Sequence, residues 1–286
     1  MSTDTQTAQA PHRARTTTGK GTSFGRALVA EYRKFSTVPS SLVLLLTTLA
    51  VMVGIGALAA WGIGSMTEAM GDDPEAAAAM GGDPAGMANS IASSGIMLAQ
   101  LIVGSLAVLV MSSEFTTGMA RATFAALPKR FPVVLAKATL VAVMAVVVTV
   151  VSTLVSALVI TPILSSYSME QDLASEAFQR NLWFGAAYVA VVALLGMALG
   201  GLLRNSAGAI VTLVGIIFVL PMVLSFFAND FISDAKQFLP DAAYGNLITT
   251  VAPEGGLEHW QAGLTLGLWA LIPLLATLFV IQRRDV

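Results

Sequence analysis

Six apolar runs of about twenty residues or more set the limits on what this chain can fold into. They cover 41–63, 91–111, 132–160, 182–203, 207–228 and 260–281. At 1.5 Å of rise per residue, each is long enough as a helix to cross a hydrocarbon layer of about 30 Å. Inside such a layer no water is present to satisfy backbone N–H and C=O groups, so only helices and closed barrels span it. None of the runs alternates apolar and polar residues in the strand pattern, so they read as helices. Charged residues make up only 11% of the 286 residues, against about 25% in ordinary soluble domains. The expected fold class is therefore all-α: a polytopic membrane protein with six transmembrane helices.

Charge sets the expected orientation. Thirteen of the fifteen Lys and Arg fall in the N-terminal region, the connection between the second and third runs, the connection between the fourth and fifth, and the C-terminal tail. The opposite side holds only Arg180 and Lys236, together with most of the acids. Basic loops stay in the cytoplasm, so both termini are expected there, in a multi-pass protein of the cell membrane. Residues 1–22 read as a disordered basic arm rather than a signal peptide, because no apolar stretch adjoins them. Within that arm "TTTGKGT" lacks the glycine spacing and the Ser or Thr of a phosphate loop. The segment 65–90 carries a near-repeat, "MGDDPEA" and "MGGDPAG". Its acids lack calcium-loop spacing, and it reads as a flexible acidic connector. In the last outward segment, "LPDAAYGNLI" predicts a short helix led by Pro240.

Two cytoplasmic segments carry more chemistry than connection requires. Residues 23–38 form an expected amphipathic interface helix, capped by Ser23, with Phe24, Leu28, Tyr32 and Phe35 on one face and Arg26 and Arg33 opposite. Glu31 intrudes on the apolar edge and needs a partner. Pro39 closes the helix before residues 39–286, the transmembrane domain. Such a helix serves either as an anchor on anionic lipid or as a lever against a cytoplasmic partner. The second segment is "SSEFTTGMARATFAALPKRFPVVLAKA", residues 112–138. Ser112 and Ser113 can cap a new helical element, Glu114 and Arg121 share one of its faces, and Pro128 stops it. Lys129 and Arg130 then turn the chain, with Lys137 a turn or two into the third run. Glu114 at a membrane edge is costly unless it is paired, and a plain connector needs only a few residues.

These stretches resemble the permease subunits of type-2 ATP-binding cassette (ABC) exporters. "AEYRKFSTVPSS" (30–41) is similar to the family's entry helix, and 112–138 to its cytoplasmic coupling element. "LGMALGGLLRNSAGAIVTLVGIIFVLPMVLS" (195–225) is similar to its fourth span, short Arg turn and fifth span. The resemblance implies a permease that binds no cofactor and is not itself an enzyme. ATP and Mg would be bound by a separate ATPase subunit. That subunit would dock on Glu31, Arg33, Lys34, Glu114, Arg121, Pro128, Lys129 and Arg130. A second permease half, identical or related, would complete the machine within membrane lipid, with no nucleic-acid partner. The expected function is export of an amphipathic or lipid-like cargo (a drug, an antibiotic or a lipid), a role that includes multidrug or antibiotic resistance.

The residues themselves fit that implication. Cysteine is absent, no phosphate loop is present, and no cytoplasmic segment is large enough to fold an ATPase domain. The apolar runs hold no acid and no central base, only Lys137 near one end. This disfavours a proton- or ion-coupled carrier and a catalytic or metal site. A secondary transporter or channel, or an accessory or immunity membrane protein, are the alternatives. The resemblance places the cargo path along Met97, Gln100 and Leu101 of the second run and Phe218, Pro221, Met222 and Ser225 of the fifth. "GMALG" and "GLTLG" offer small-xxx-small steps for packing within the chain or between two copies.

Overall fold

The computed structural model describes residues 24–71, 84–118, 130–227, 229–251 and 255–283. The expectations for the basic arm at 1–22 and for the core of the acidic repeat at 72–83 lie outside them. Among the described residues the chain is entirely helical, with six helical segments long and apolar enough to cross a membrane. In order they are α1 (Phe24–Thr37), α2 (Pro39–Met70), α3 (Pro84–Ile91), α4 (Ile96–Thr116), α5 (Arg130–Ser166) and α6 (Glu176–Leu203). Next come α7 (Ser206–Val214), a π turn (Gly215–Val219), α8 (Leu220–Ser225), α9 (Asp230–Lys236), α10 (Pro240–Ile248) and α11 (His259–Arg283). The membrane-length segments are α2, α3 with α4, α5, α6, α7 through α8, and α11.

Several boundaries differ from those read in the sequence. Helix α2 continues through the start of the supposed acidic connector, because no breaker precedes Gly71; that glycine adopts φ 59° and returns its N–H to Glu68 O. Pro84 begins α3, so both flanks of that connector are helical. Ser112 and Ser113 cap nothing, since α4 runs through them to Thr116. Ser112 instead shares a 2.7 Å hydrogen bond with Ser206, joining the end of α4 to the start of α7. The short helix expected in "LPDAAYGNLI" is α10.

Helix α6 is the centre of the bundle. Its packing against α4 is the most extensive among the described residues, with α5 and α11 on its other sides. Its termini are well defined: Ser175 Oγ accepts from Phe178 N at the start, and Arg204 takes a left-handed conformation (φ 52°) to close the end, donating its N–H to Gly200 O. The close approach of α4 depends on "GMALG". A Cβ on Gly196 would stand 2.5 Å from Gly104 O, and one on Gly200 would stand 2.8 Å from Val108 O. This small-xxx-small step therefore works within the chain. Across α11, Thr277 Oγ1 reaches Ala198 O at 3.0 Å. Helices α2 and α7 lie at the periphery and leave most of their side chains uncovered, as a lipid-facing surface requires.

Replacing Gly196 by Ala is expected to destabilise the purified protein by about 1–3 kcal/mol, because α4 backbone would have to move. Gly263 of "GLTLG" has nothing within 4 Å of a Cβ position. Gly263→Ala is therefore expected to be neutral or slightly stabilising, by the roughly 1 kcal/mol of improved helix propensity. Thermal unfolding in detergent reads both; equal melting temperatures would contradict this account of the α4–α6 contact.

Candidate functional site

Helix α1 packs against the start of α5, and the face it buries is not the one its apolar residues suggest. Ala27, Leu28, Glu31, Lys34 and Phe35 turn inward, while Phe24 and Tyr32 remain exposed at 41% and 55%. The acid read as an intruder on the edge is thus the most buried residue of the helix, at 4% exposure. The reason lies across the interface. Lys137, two turns into α5 and 2% exposed, donates to Glu31 Oε2. It also donates to Glu114 Oε1 of α4 at 3.1 Å. Lys34 completes the cluster, 2.9 Å from Glu31 Oε1 and 2.9 Å from Glu114 Oε1.

Two acids and two bases from three helices therefore form one neutral network at one end of the bundle. Taking a single carboxylate or ammonium out of water costs several kcal/mol, and the network offsets this only because each charge meets two of the opposite sign. Burial alone would lower the Lys34 ammonium; its hydrogen bonds to Glu31 and Glu114 outweigh that and hold it above its ordinary value. A cavity of about 410 Å³ adjoins the cluster, walled mainly by Phe35, Val38, Leu106, Leu109 and Val110. Nearby, the Arg204 guanidinium lies 4.9 Å from the centre of the Phe115 ring, bringing the turn between α6 and α7 onto the end of α4.

Of the expected coupling residues, Glu31, Lys34 and Glu114 are thus brought together. Arg33 stays exposed on the outer face of α1. Arg130 opens α5 as part of the helix rather than forming a turn before it. Arg121, Pro128 and Lys129 lie outside the described residues. The sequence indicated that Glu31 and Glu114 needed partners; their common partner Lys137 was visible only as a base near a helix end.

At the other end of α4 a second cavity, about 530 Å³, gathers part of the expected cargo path. Met97, Gln100, Phe218 and Pro221 line it. Leu101 is not among its walls, and Met222 and Ser225 point away from it, Met222 being 59% exposed. In the helix that carries Met222 and Ser225, though not in α4, the π turn interrupts the regular period. Pro221 has no N–H to give, and just before it Leu220 donates to Gly215 O, a five-residue step that inserts one extra residue into the turn. Residues beyond the π turn are rotated relative to a regular helix.

The remaining walls were not singled out in the sequence. They include Ser93 and Asn181, joined by a 3.0 Å hydrogen bond, and Tyr188, Asp241 and Tyr244. Tyr188 and Tyr244 stack with ring centres 4.6 Å apart and planes 6° from parallel. Asp241 stands open at the mouth in the first turn of α10. Its apolar surroundings raise the carboxyl above the ordinary range, against the backbone N–H groups it accepts from. Asp241 shares no helix with α4 or α8, so only the folding back of α10 places it beside them.

The charge cluster generates a specific expectation. Lys137→Met leaves the buried carboxylates of Glu31 and Glu114 to share Lys34 alone, with one negative charge unbalanced, and should cost about 3–5 kcal/mol. Glu31→Gln combined with Lys137→Met leaves the Lys34–Glu114 pair neutral, and should cost clearly less than the sum of the single changes. Unfolding in detergent measures the cycle, and strict additivity would mean the two residues are not coupled. Compared with protein-family models and with curated proteins, the chain matches none.

Proposed function

We propose that this protein is the transmembrane permease subunit of an ABC exporter. Two such halves would move an amphipathic cargo out of the cell, driven by ATP hydrolysed on a separate subunit. The observation that carries this reading is the four-charge cluster. It ties α1, which is not a membrane-length helix, to the ends of two helices that are. It stands where the chain leaves α4 for the basic segment that leads to α5. A push on α1 or on that segment would be delivered through ion pairs into α4 and α5, instead of being lost in a loose connection. In this reading both termini and the cluster face the cytoplasm of the cell membrane, and α1 is an interface helix acting as a lever. The cavity at the far end of α4 is part of the cargo path.

The decisive measurement is reconstitution with the ATPase subunit. Arg121→Ala with Lys129→Ala, which leaves the buried cluster intact, should give an inserted permease that no longer binds that subunit or no longer stimulates its ATP hydrolysis. Normal transport by a well-expressed double variant would reduce the stretch to an ordinary basic loop. Orientation is tested separately, since the chain has no Cys of its own. A Cys at Val251, which is 79% exposed, should react with an impermeant maleimide from outside the cell, and one at Asp285 only after lysis. The reverse pattern would sink the assigned topology.

A further inference from the structure

The cavity at the far end of α4 is asymmetric in its polar chemistry. Gln100 is 5% exposed, and its Nε2 is used on Met97 O at 3.1 Å. Its Oε1 has no hydrogen-bond partner. The hydroxyl of Tyr188, a residue 1% exposed, is likewise without one. The two side chains lie within hydrogen-bonding reach of each other, although no hydrogen bond of ordinary geometry closes on either atom. A buried amide oxygen or phenol left unpaired costs about 1–3 kcal/mol, so both are places where a donor from a ligand would be rewarded. The neighbouring polar pair is already satisfied: Asn181 Oδ1 takes the Ser93 hydroxyl and Asn181 Nδ2 donates to Ala177 O.

The charge points the same way. Among the described residues Asp241 is the one charged side chain on the cavity wall, and no Lys or Arg is there. No ion pair to Asp241 exists among the described residues. Arg180, on the same end of α6, is engaged by Glu176 at 2.8 Å and by the carbonyls of Leu247 and Thr249. Ile96, Met97, Ile217, Phe218, Pro221 and Ile248 give the wall an apolar side, and its serines, Ser90, Ser93 and Ser94, donate their hydroxyls to backbone carbonyls of their own segment. The cavity volume falls within the range of small-molecule sites.

We propose that this cavity binds the protonated amine of an amphipathic molecule, with the ammonium between Asp241, Gln100 Oε1 and the Tyr188 hydroxyl and the apolar body against the α4 and π-turn walls. A free anion or a phosphate is disfavoured, since the described residues of the wall offer a carboxylate and no base. That the bound amine is cargo rests on the exporter reading; that it binds does not.

The test is therefore equilibrium binding to the full-length permease alone, in phosphatidylcholine nanodiscs, without nucleotide or ATPase. Dansylcadaverine, a primary amine on an apolar fluorophore, is the probe, and its neutral N-acetyl derivative is the reference. Wild type should favour the amine by roughly ten- to a hundredfold, the range for a hydrogen bond to a charged group. Asp241→Asn, at an exposed position, should abolish that preference while leaving the melting temperature unchanged. Gln100→Leu should weaken amine binding with little effect on the acetylated probe. Competition separates two sources of the same chemistry. Displacement by dodecylamine alone indicates a soluble amine, whereas displacement by phosphatidylethanolamine in the disc indicates a lipid headgroup. Equal binding of amine and acetyl probes, or a preference that survives Asp241→Asn, would overturn the proposal. Amine binding without ATP-driven transport would leave this site standing and count against the exporter reading only.

Discussion

Three charges withdrawn from water, with a fourth half-buried beside them, set the terms for everything around them at one end of an apolar bundle. Glu31, Lys34, Glu114 and Lys137 cancel as a group. No pair taken from them would do as well, because each would leave lone pairs or ammonium protons unmet in a region that offers few other partners. The consequence is geometric. Helix α1 cannot slide or lift without separating Glu31 from Lys137, and α4 cannot shift relative to α5 without separating Glu114 from the same ammonium. Hydrophobic contacts alone would tolerate such movements, since dispersion and burial are nearly indifferent to small displacements along a greasy face. Ion pairs in low dielectric are not.

The two ends of α4 are built on opposite principles. At Glu114 every charge is answered from within the chain. About four turns back along the same helix, roughly 21 Å at 1.5 Å per residue, Gln100 joins Tyr188 at a cavity with acceptors left over and Asp241 at its mouth. Between these ends α4 is held against α6 at the closest spacing a helix pair allows, glycine against backbone carbonyl. A rod fixed along its length and charge-locked at one end is a physically reasonable way to relate events at the two ends. The π turn before Pro221 adds an irregular, less constrained helix beside the cavity.

Much of this was legible in advance. The six spans come from run length and the scarcity of charge, and α10 from a proline heading a short stretch, "LPDAAYGNLI". Burying Glu31 and Glu114 without partners would cost too much, so their need for counter-charges was readable as well. The rest was not, for separate reasons. Phe24, Leu28, Tyr32 and Phe35 were read as one apolar face of α1, of which only Leu28 and Phe35 turn toward the bundle, because an apolar side chain at a membrane boundary is as well placed toward lipid as toward protein. Met222 and Ser225 were aligned with Phe218 on a regular helical period, which the π turn breaks. The cavity wall formed by Tyr188, Asp241 and Tyr244 left no periodic trace, because its members come from helices far apart in the chain.

Local free energies are the part that a sequence determines unaided. Twenty consecutive apolar residues must be helical in hydrocarbon whatever their neighbours do, a proline must begin or disturb a helix, and an isolated buried acid must be paired. Pairing itself is a long-range choice. Lys137 meets Glu31 across 106 positions, Gly196 meets Gly104 from a different helix, and Asp241 comes to share a cavity with Gln100. Each depends on which helix faces are brought together when the whole bundle packs. Only the tertiary structure decided those contacts, because helix packing is a balance summed over all the faces at once, and no single segment contains its terms.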